Sequence, residues 1–136
     1  MATTGYSGTP LLKKLGLKPE MKVSVFNAPD NYFDLLEQDI TAQMITGKQI
    51  PDFIHLFAKN NAAFIKGMQK IFAYAKANTS IIIWISWYKK TSGIATDVTE
   101  DIIRNFALQH NLVDIKVCAV SEQWSGLKLV VPVAKR

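Results

Sequence analysis

The sequence predicts an α/β fold in which a mostly parallel, five-stranded sheet carries helices on both faces. Segments typical of strands alternate with segments typical of helices, in the order α-β-α-β-α-β-α-β-β. Two of the strand segments are almost continuously apolar, which is typical of strands buried on both faces of a parallel sheet. A short link joins the last two strands and predicts an antiparallel hairpin. The alternation of strands and helices also predicts right-handed crossovers.

Size and composition place the chain among globular proteins. Of its 136 residues, 49% are hydrophobic and 20% are charged, which excludes a disordered chain. No segment is long and apolar enough to span a membrane, and Met1–Tyr6 has no features of a secretory signal. The single cysteine, Cys118, cannot form an internal disulfide. We therefore expect a cytoplasmic protein whose residues 1–136 form one domain, with residues 1–20 as an N-terminal arm and short helix.

Positive charge is concentrated in the middle of the chain. The formal net charge is +5, and the segment between Asp39 and Asp97 holds seven lysines but only one acid, Asp52. Such a basic region favours an acidic partner, such as a phosphate-bearing ligand, nucleic acid or an acidic protein. The alternative is a solvated surface that only keeps the protein soluble.

The first elements are short. Thr9 is predicted to cap a short helix that ends at Gly16 in the left-handed conformation. The first strand is predicted at Lys22–Phe26, and a second short helix at Asp30 or Asn31.

The middle of the chain holds the clearest pattern. Residues 40–51 are predicted to form a loop with room for one helical turn. Asp52–Ala58 is a strand that is apolar except at His55, and we expect this histidine to be a hydrogen-bonded core residue. An amphipathic helix follows, from Asn60 or Asn61 to about Ala77.

The remaining elements complete the sheet. Ser80–Tyr88 does not alternate between apolar and polar residues and is predicted to be the central strand. Asp97–Glu100 has the spacing of a capping box and is predicted to open the last long helix. The final hairpin is predicted to pair Asp114–Val120 with Leu127–Val133 across the link Ser121–Gly126.

The arrangement from Ser80–Tyr88 onward is similar to the C-terminal half of class I methyltransferases. The resemblance implies a three-layer, Rossmann-like fold of truncated methyltransferase type, with strand order 1-2-3-5-4 and the last strand antiparallel. Phe26 is followed by Asn27-Ala28-Pro29-Asp30 and lacks the glycine-rich turn that brings the backbone close to S-adenosylmethionine in those enzymes. We therefore expect no S-adenosylmethionine binding and no other cofactor.

Five separated segments carry a second resemblance. They are Gly5–Leu11, Asn27–Pro29, Trp87–Gly93, Thr96–Asp101 and Trp124–Lys128. In this order they resemble a bacterial family known as domain of unknown function 3052. The resemblance implies a bacterial source and supplies no activity.

Common catalytic and metal-binding signatures are absent from the sequence. Gly47-Lys48 is followed by Gln49, so there is no phosphate-binding Gly-Lys-Ser or Gly-Lys-Thr loop. There is no dinucleotide-binding glycine motif and no Gly-x-Ser-x-Gly nucleophile elbow. His55 and His110 lie far apart with no cysteine pair, so we expect no metal site, and we expect Cys118 to be a buried thiol.

The best candidate site is the basic loop from Lys89 to Ala95. Ligands of open α/β sheets bind outside the carboxyl ends of the strands, and this loop follows the predicted central strand. Its lysines, hydroxyls and glycine, together with a following helix N-terminus, suit an anion. The candidate ligand-binding residues are Asn27, Lys89, Lys90, Ser92, Gly93, Thr96 and Asp97. Ordinary turn chemistry is the alternative explanation for this loop.

Three functions remain open. The leading hypothesis is a non-catalytic or degenerate Rossmann-like module that binds a small anionic ligand or a protein partner. The first alternative is a small transferase or hydrolase in which Lys89 or Lys90 orients the substrate and Asp97 or Glu100 is the base.

The second alternative is weak nucleic-acid binding through a stripe of lysines, although the stripe has no aromatic residue for base stacking. The stripe comprises Lys59, Lys66 and Lys70. These lysines and Trp124 also form a candidate surface for a protein partner.

Overall fold

The computed structural model describes residues 10–46 and 48–136 and shows one five-stranded sheet in the order β1-β2-β3-β5-β4. The strands are β1 (Val23–Phe26), β2 (Phe53–Phe57), β3 (Ile82–Tyr88), β4 (Val113–Ala119) and β5 (Trp124–Val130). The predicted strand order and the antiparallel β5 are confirmed. Four strands share one direction, but β5 lies between two of them, so two neighbour pairs are parallel and two are antiparallel.

Helices cover both faces of the sheet, as predicted. They are α1 (Leu11–Leu15), α2 (Tyr32–Leu36), α3 (Asn61–Ala77) and α4 (Glu100–Leu108). The first two pack on one side, here called the α1/α2 face, and the last two on the other, the α3/α4 face. Within residues 10–46 and 48–136, no helix is long and apolar enough to cross a membrane.

The side chains of β3 explain why its sequence does not alternate. Ile83, Ile85 and Trp87 pack on the α3/α4 face, whereas Trp84 packs on the α1/α2 face. Trp84 is fully buried, and its indole Nε1 donates a hydrogen bond to the carbonyl oxygen of Leu15 at 2.9 Å. Each face of β3 therefore requires apolar residues, and α1 is fastened to the strand through the indole.

A buried polar chain crosses the α1/α2 face. The Tyr32 hydroxyl shares a hydrogen bond of 2.9 Å with Nδ1 of His55, and Nε2 of His55 shares one of 2.7 Å with the Ser86 hydroxyl. Burial lowers the pKa of His55 to about 3 and raises the pKa of Tyr32 above its ordinary value. These two hydrogen bonds therefore join α2, β2 and β3 through neutral side chains. The expectation that His55 is a hydrogen-bonded core residue is confirmed.

The two parallel connections leave the sheet on opposite faces. α2 joins β1 to β2 on the α1/α2 face, whereas α3 joins β2 to β3 on the α3/α4 face. After α2 and a 3-10 turn at Thr41–Gln43, the chain first returns to the outer edge of β1, where Met44 forms a parallel bridge with Val23. This step moves away from β2, whereas the step through α3 moves from β2 to β3 on the opposite face, so the two steps share one handedness. The 3-10 turn confirms the helical turn predicted within residues 40–51.

The hairpin begins earlier than predicted. Trp124, Ser125 and Gly126 belong to β5 and not to the link, and β5 ends at Val130 and not at Val133. The Trp124 ring packs on Tyr88 with ring centroids 4.2 Å apart, and only 3% of Trp124 is exposed. Because the Trp124 ring is buried against Tyr88, β5 pairs with β3 from Trp124 onward, closer to the turn than predicted.

Two helix ends test the predicted capping residues. Gly16 ends α1 with φ 72°, as predicted, while Thr9 lies outside the described residues. The capping box predicted at Asp97–Glu100 is wrong, because α4 begins at Glu100 and its cap is Thr99. The Thr99 hydroxyl accepts a hydrogen bond from the backbone N–H of Ile102 at 3.3 Å.

The buried His55 makes the stability of the protein depend on pH. The folded protein keeps His55 neutral down to a pH of about 3, whereas the unfolded chain gains a proton below about 6.5. The free energy of unfolding should therefore fall as the pH drops from about 6.5 toward 3, with a slope of up to about 1.4 kcal/mol per pH unit from this one proton. Urea unfolding at several pH values measures the slope.

The matched pair of variants is His55→Gln and His110→Gln. His55→Gln should reduce the slope of the free energy of unfolding against pH by the contribution of about one proton, because the titrating group is gone. The second should keep the slope, because His110 lies at the exposed end of α4. An unchanged slope in His55→Gln would contradict the burial argument.

Candidate functional site

A cleft of 890 Å³ opens where β3 ends and α4 begins. It lies at the carboxyl edge of the sheet, and its volume falls within the range of about 300–1,000 Å³ that is typical of small-molecule sites. The end of β3, the loop that follows it and the first turn of α4 form its walls. Its charged lining residues are Lys89, Lys90, Glu100 and Asp101.

The structure brings some of the predicted ligand residues together at this cleft and places others elsewhere. Those that line the cleft are Lys89, Lys90, Gly93 and Thr96. Ser92 and Asp97 hold parts of the backbone in place, as described next. Asn27 lines a different cleft, beside α3.

The loop after β3 has a defined conformation. A 3-10 turn spans Lys90–Ser92, and Gly93 follows with φ 75°, a left-handed conformation that glycine adopts without strain. The Ser92 hydroxyl donates a hydrogen bond to the carbonyl oxygen of Lys89 at 2.6 Å and accepts one from the N–H of Ile94 at 3.1 Å. Ser92 therefore shapes the turn, and Lys89 and Lys90 remain as the basic wall of the cleft.

Thr96 and Asp97 fasten this loop to the start of α3. The Thr96 hydroxyl donates to the carbonyl oxygen of Lys59 at 2.8 Å, and the Asp97 carboxylate accepts from the N–H of Asn61 at 2.6 Å. Asn60 adds the usual cap, because its side-chain oxygen accepts from a later N–H of α3. Asp97 therefore stabilises the N-terminus of α3 and not that of α4.

The acidic wall of the cleft is bound to one arginine. Arg104 donates hydrogen bonds to Glu100, to Asp101 at 3.0 Å and to Asp114 at 2.9 Å. These bonds, first that to Glu100 and then that to Asp114, raise the pKa of Arg104 above its ordinary value. The transferase or hydrolase alternative uses Asp97 or Glu100 as its base, and each of these acids already accepts a hydrogen bond from another group of the chain.

The candidate partner surface is divided. Lys66 and Lys70 are exposed on α3 and line the second cleft with Asn27, whereas Lys59 lies in the turn before the helix. Trp124 is 3% exposed and packs between Phe57 and Tyr88, so its prediction as partner surface is wrong. The reason is that Trp124 begins a strand, which turns its ring onto the α1/α2 face.

Three other reactive side chains, His55, Ser86 and Cys118, are not among the residues that line the cleft between β3 and α4. His55 and Ser86 resemble part of a nucleophile and base pair, but both are fully buried. Cys118 is half-buried, and burial raises the pKa of its thiol, which outweighs the opposing effect of nearby lysines. Within the described ranges, no group of three or more His, Cys, Asp or Glu side chains is placed to hold a metal ion.

Two features of this edge were not predicted from the sequence. The Glu100–Arg104 pair has the one-turn spacing of a helical ion pair, which was a usable signal. The cleft beside α3 that joins Asn27 to Lys66 and Lys70 had no local signal, because it depends on how α3 lies against β1.

No family model and no curated protein matches the chain. The resemblance to domain of unknown function 3052 therefore stays a prediction.

Two solved structures are similar in fold. One is a Streptococcus pneumoniae protein assigned as a tRNA methyltransferase and solved in complex with S-adenosyl-L-methionine. Its TM-score is 0.47 at 6% sequence identity, and the match covers 80% of this chain and 54% of that one. The other is a Streptococcus agalactiae protein of the NADB-Rossmann superfamily, with a TM-score of 0.42, 9% identity, and coverage of 96% and 64%. The chain thus spans less than two thirds of the length of either neighbour.

The role assigned to Asp97 predicts a specific loss of stability. Asp97→Ala removes the acceptor for the first N–H of α3 and should lower the free energy of unfolding by roughly 0.5–1 kcal/mol. Chemical denaturation measures the change. Glu122→Ala, which removes an exposed acid in the hairpin turn, is the control and should have little effect. Equal stability of the two variants would show that Asp97 is not a cap.

Proposed function

We propose that this protein is a binding module for a small ligand with an anionic group, and that the ligand occupies the cleft between β3 and α4. The observation that carries the proposal is the position of this cleft at the carboxyl edge of the sheet, with Lys89 and Lys90 in its wall. Ligands of open α/β sheets bind at that edge. A lysine ammonium pairs well with a phosphate or carboxylate oxygen.

The charges of the cleft suggest how the ligand lies. Lys89 and Lys90 stand on the loop side, whereas Glu100 and Asp101 stand on the α4 side. An anionic group is favoured beside the lysines and disfavoured beside the two acids. The far end of the ligand is therefore expected to be neutral and polar, or cationic.

Binding is better supported than catalysis. The residues that line the cleft include no histidine and no cysteine, and its two acids, Glu100 and Asp101, are both bound to Arg104. A general base needs a carboxylate or imidazole directed at the substrate, and a nucleophile needs such a base beside it. The observed groups support recognition of an anion and no bond-breaking step.

We also infer a bacterial, cytoplasmic protein that does not use S-adenosylmethionine. The resemblance to domain of unknown function 3052 supports the bacterial source, and the single cysteine supports the cytoplasm. The departure from the methyltransferase pattern after β1 supports the inference about S-adenosylmethionine. In the loop after β1, Asn27 occupies the position where those methyltransferases begin their glycine-rich turn, and it has φ 59°. A side chain at this position leaves less room for the close approach of a cofactor than a glycine would.

A ligand screen tests the proposed site. At least one metabolite that bears a phosphate or carboxylate group should raise the unfolding temperature of the wild type. At a ligand concentration ten times its Kd, the free energy of unfolding should rise by about 1.4 kcal/mol. In the double variant Lys89→Ala with Lys90→Ala the shift should be lost, because both ammonium groups are gone. The double variant Lys48→Ala with Lys76→Ala removes the same charge away from the cleft and should keep the shift. Loss of the shift in both double variants, or in neither, would rule out this cleft.

A further inference from the structure

We propose that the groove between β1 and α3, here called the β1–α3 groove, is a second ligand site and takes a small aromatic anion such as an aryl phosphate. Its volume is 420 Å³, which suits a ring with one charged substituent. The groove shares no lining residue with the cleft between β3 and α4, so the inference does not depend on the proposed function.

The groove follows from the opposite directions of the two parallel connections. The chain leaves β1 toward the α1/α2 face and leaves β2 toward the α3/α4 face. In open α/β sheets, a ligand crevice forms where neighbouring connections diverge in this way. The β1–α3 groove lies beside that point, with Asn27 at the end of β1 and Ala63 in the first turns of α3.

Its charged groups are both basic. Lys66 and Lys70 lie one helical turn apart, and like charges at this spacing repel each other and destabilise a helix. In the part of the chain that the structure describes, neither lysine forms an ion pair with an acid. A bound anion would offset this repulsion, and the side-chain amide of Asn27 adds a hydrogen-bond donor at the rim.

The floor of the groove is apolar and aromatic. Phe26 and Leu56 form it, and the ammonium group of Lys70 lies 5.3 Å from the centre of the Phe26 ring. Gly67 lets α3 approach the floor, because a Cβ there would lie 2.6 Å from a methyl group of Leu56. A ligand ring can replace the Lys70 ammonium on the Phe26 ring, because the ligand's anionic group then pairs with that ammonium and with that of Lys66.

Phenyl phosphate is a suitable probe, with inorganic phosphate as the comparison without a ring. In a titration followed by 1H–15N NMR of the full chain, phenyl phosphate should shift the amide signals of Asn27, Ala63 and Gly67. Its Kd should be about tenfold lower than that of inorganic phosphate, because the ring adds an aromatic contact with Phe26.

Two matched variants identify the charges responsible. Lys66→Gln with Lys70→Gln should raise the Kd of phenyl phosphate about tenfold or more, while Lys76→Gln with Lys135→Gln, on the opposite edge of the sheet, should leave it unchanged. Phe26→Leu should weaken phenyl phosphate and not inorganic phosphate. The spectra also show whether each variant is folded.

Several results would overturn the inference. One is the absence of shifts at the groove amides, and another is an equal loss of affinity in both lysine pairs. Equal affinity for the two phosphates would show an adventitious ion only. Shifts confined to Gly93 and Thr96 would reject the groove and leave the cleft between β3 and α4 standing, whereas Lys89→Ala with Lys90→Ala should not change binding in the groove.

Discussion

Burial of β3 on both faces is the constraint on which the rest of the structure depends. A strand that packs against helices on both faces needs apolar side chains at nearly every position, and any polar group on it needs a hydrogen-bond partner within the core. Ser86 forms a hydrogen bond with His55, and the indole of Trp84 donates one to the carbonyl oxygen of Leu15. These bonds tie β2 and α1 to β3, so both layers are positioned relative to one strand.

The candidate site takes its geometry from the same strand. β3 ends beside the start of β5, where the N–H of Lys89 donates to the carbonyl oxygen of Gln123 at 2.9 Å. The following loop then returns to the neighbouring connection, where Thr96 and Asp97 bind the start of α3. The loop is therefore held at both ends by its neighbours, and Lys89, at the first of these anchors, and Lys90, just after it, line the cleft.

The elements of this fold were predictable where burial alone decides them. The unbroken apolar run of β3 and the amphipathic face of α3 predicted both elements, and the hairpin followed from a short link. The placement of Asp97 was not predictable, because a capping pattern at Asp97–Glu100 competes with an equally good local cap at Thr99, and the contact with Asn61 spans 36 residues.

The candidate site was predictable in part for the same reason. Lys89 and Lys90 follow the central strand and reach its carboxyl edge, as the general rule for α/β sheets requires. Asn27 was grouped with them, but the opposite exits of the chain from β1 and β2 place it beside Lys66 and Lys70. The direction of a crossover is a property of packing, and no residue in the loop after β1 signals it.

Ligands are expected to bind at the carboxyl edge of this sheet. Soaking crystals in bromide and locating the ions by anomalous scattering tests this expectation, because each anion site is seen without prior choice of a ligand. Ordered bromide is expected beside Lys89 and Lys90 or beside Lys66 and Lys70. Ordered bromide only at the opposite edge, in the basic cleft that contains Lys76 and Lys135, would contradict it.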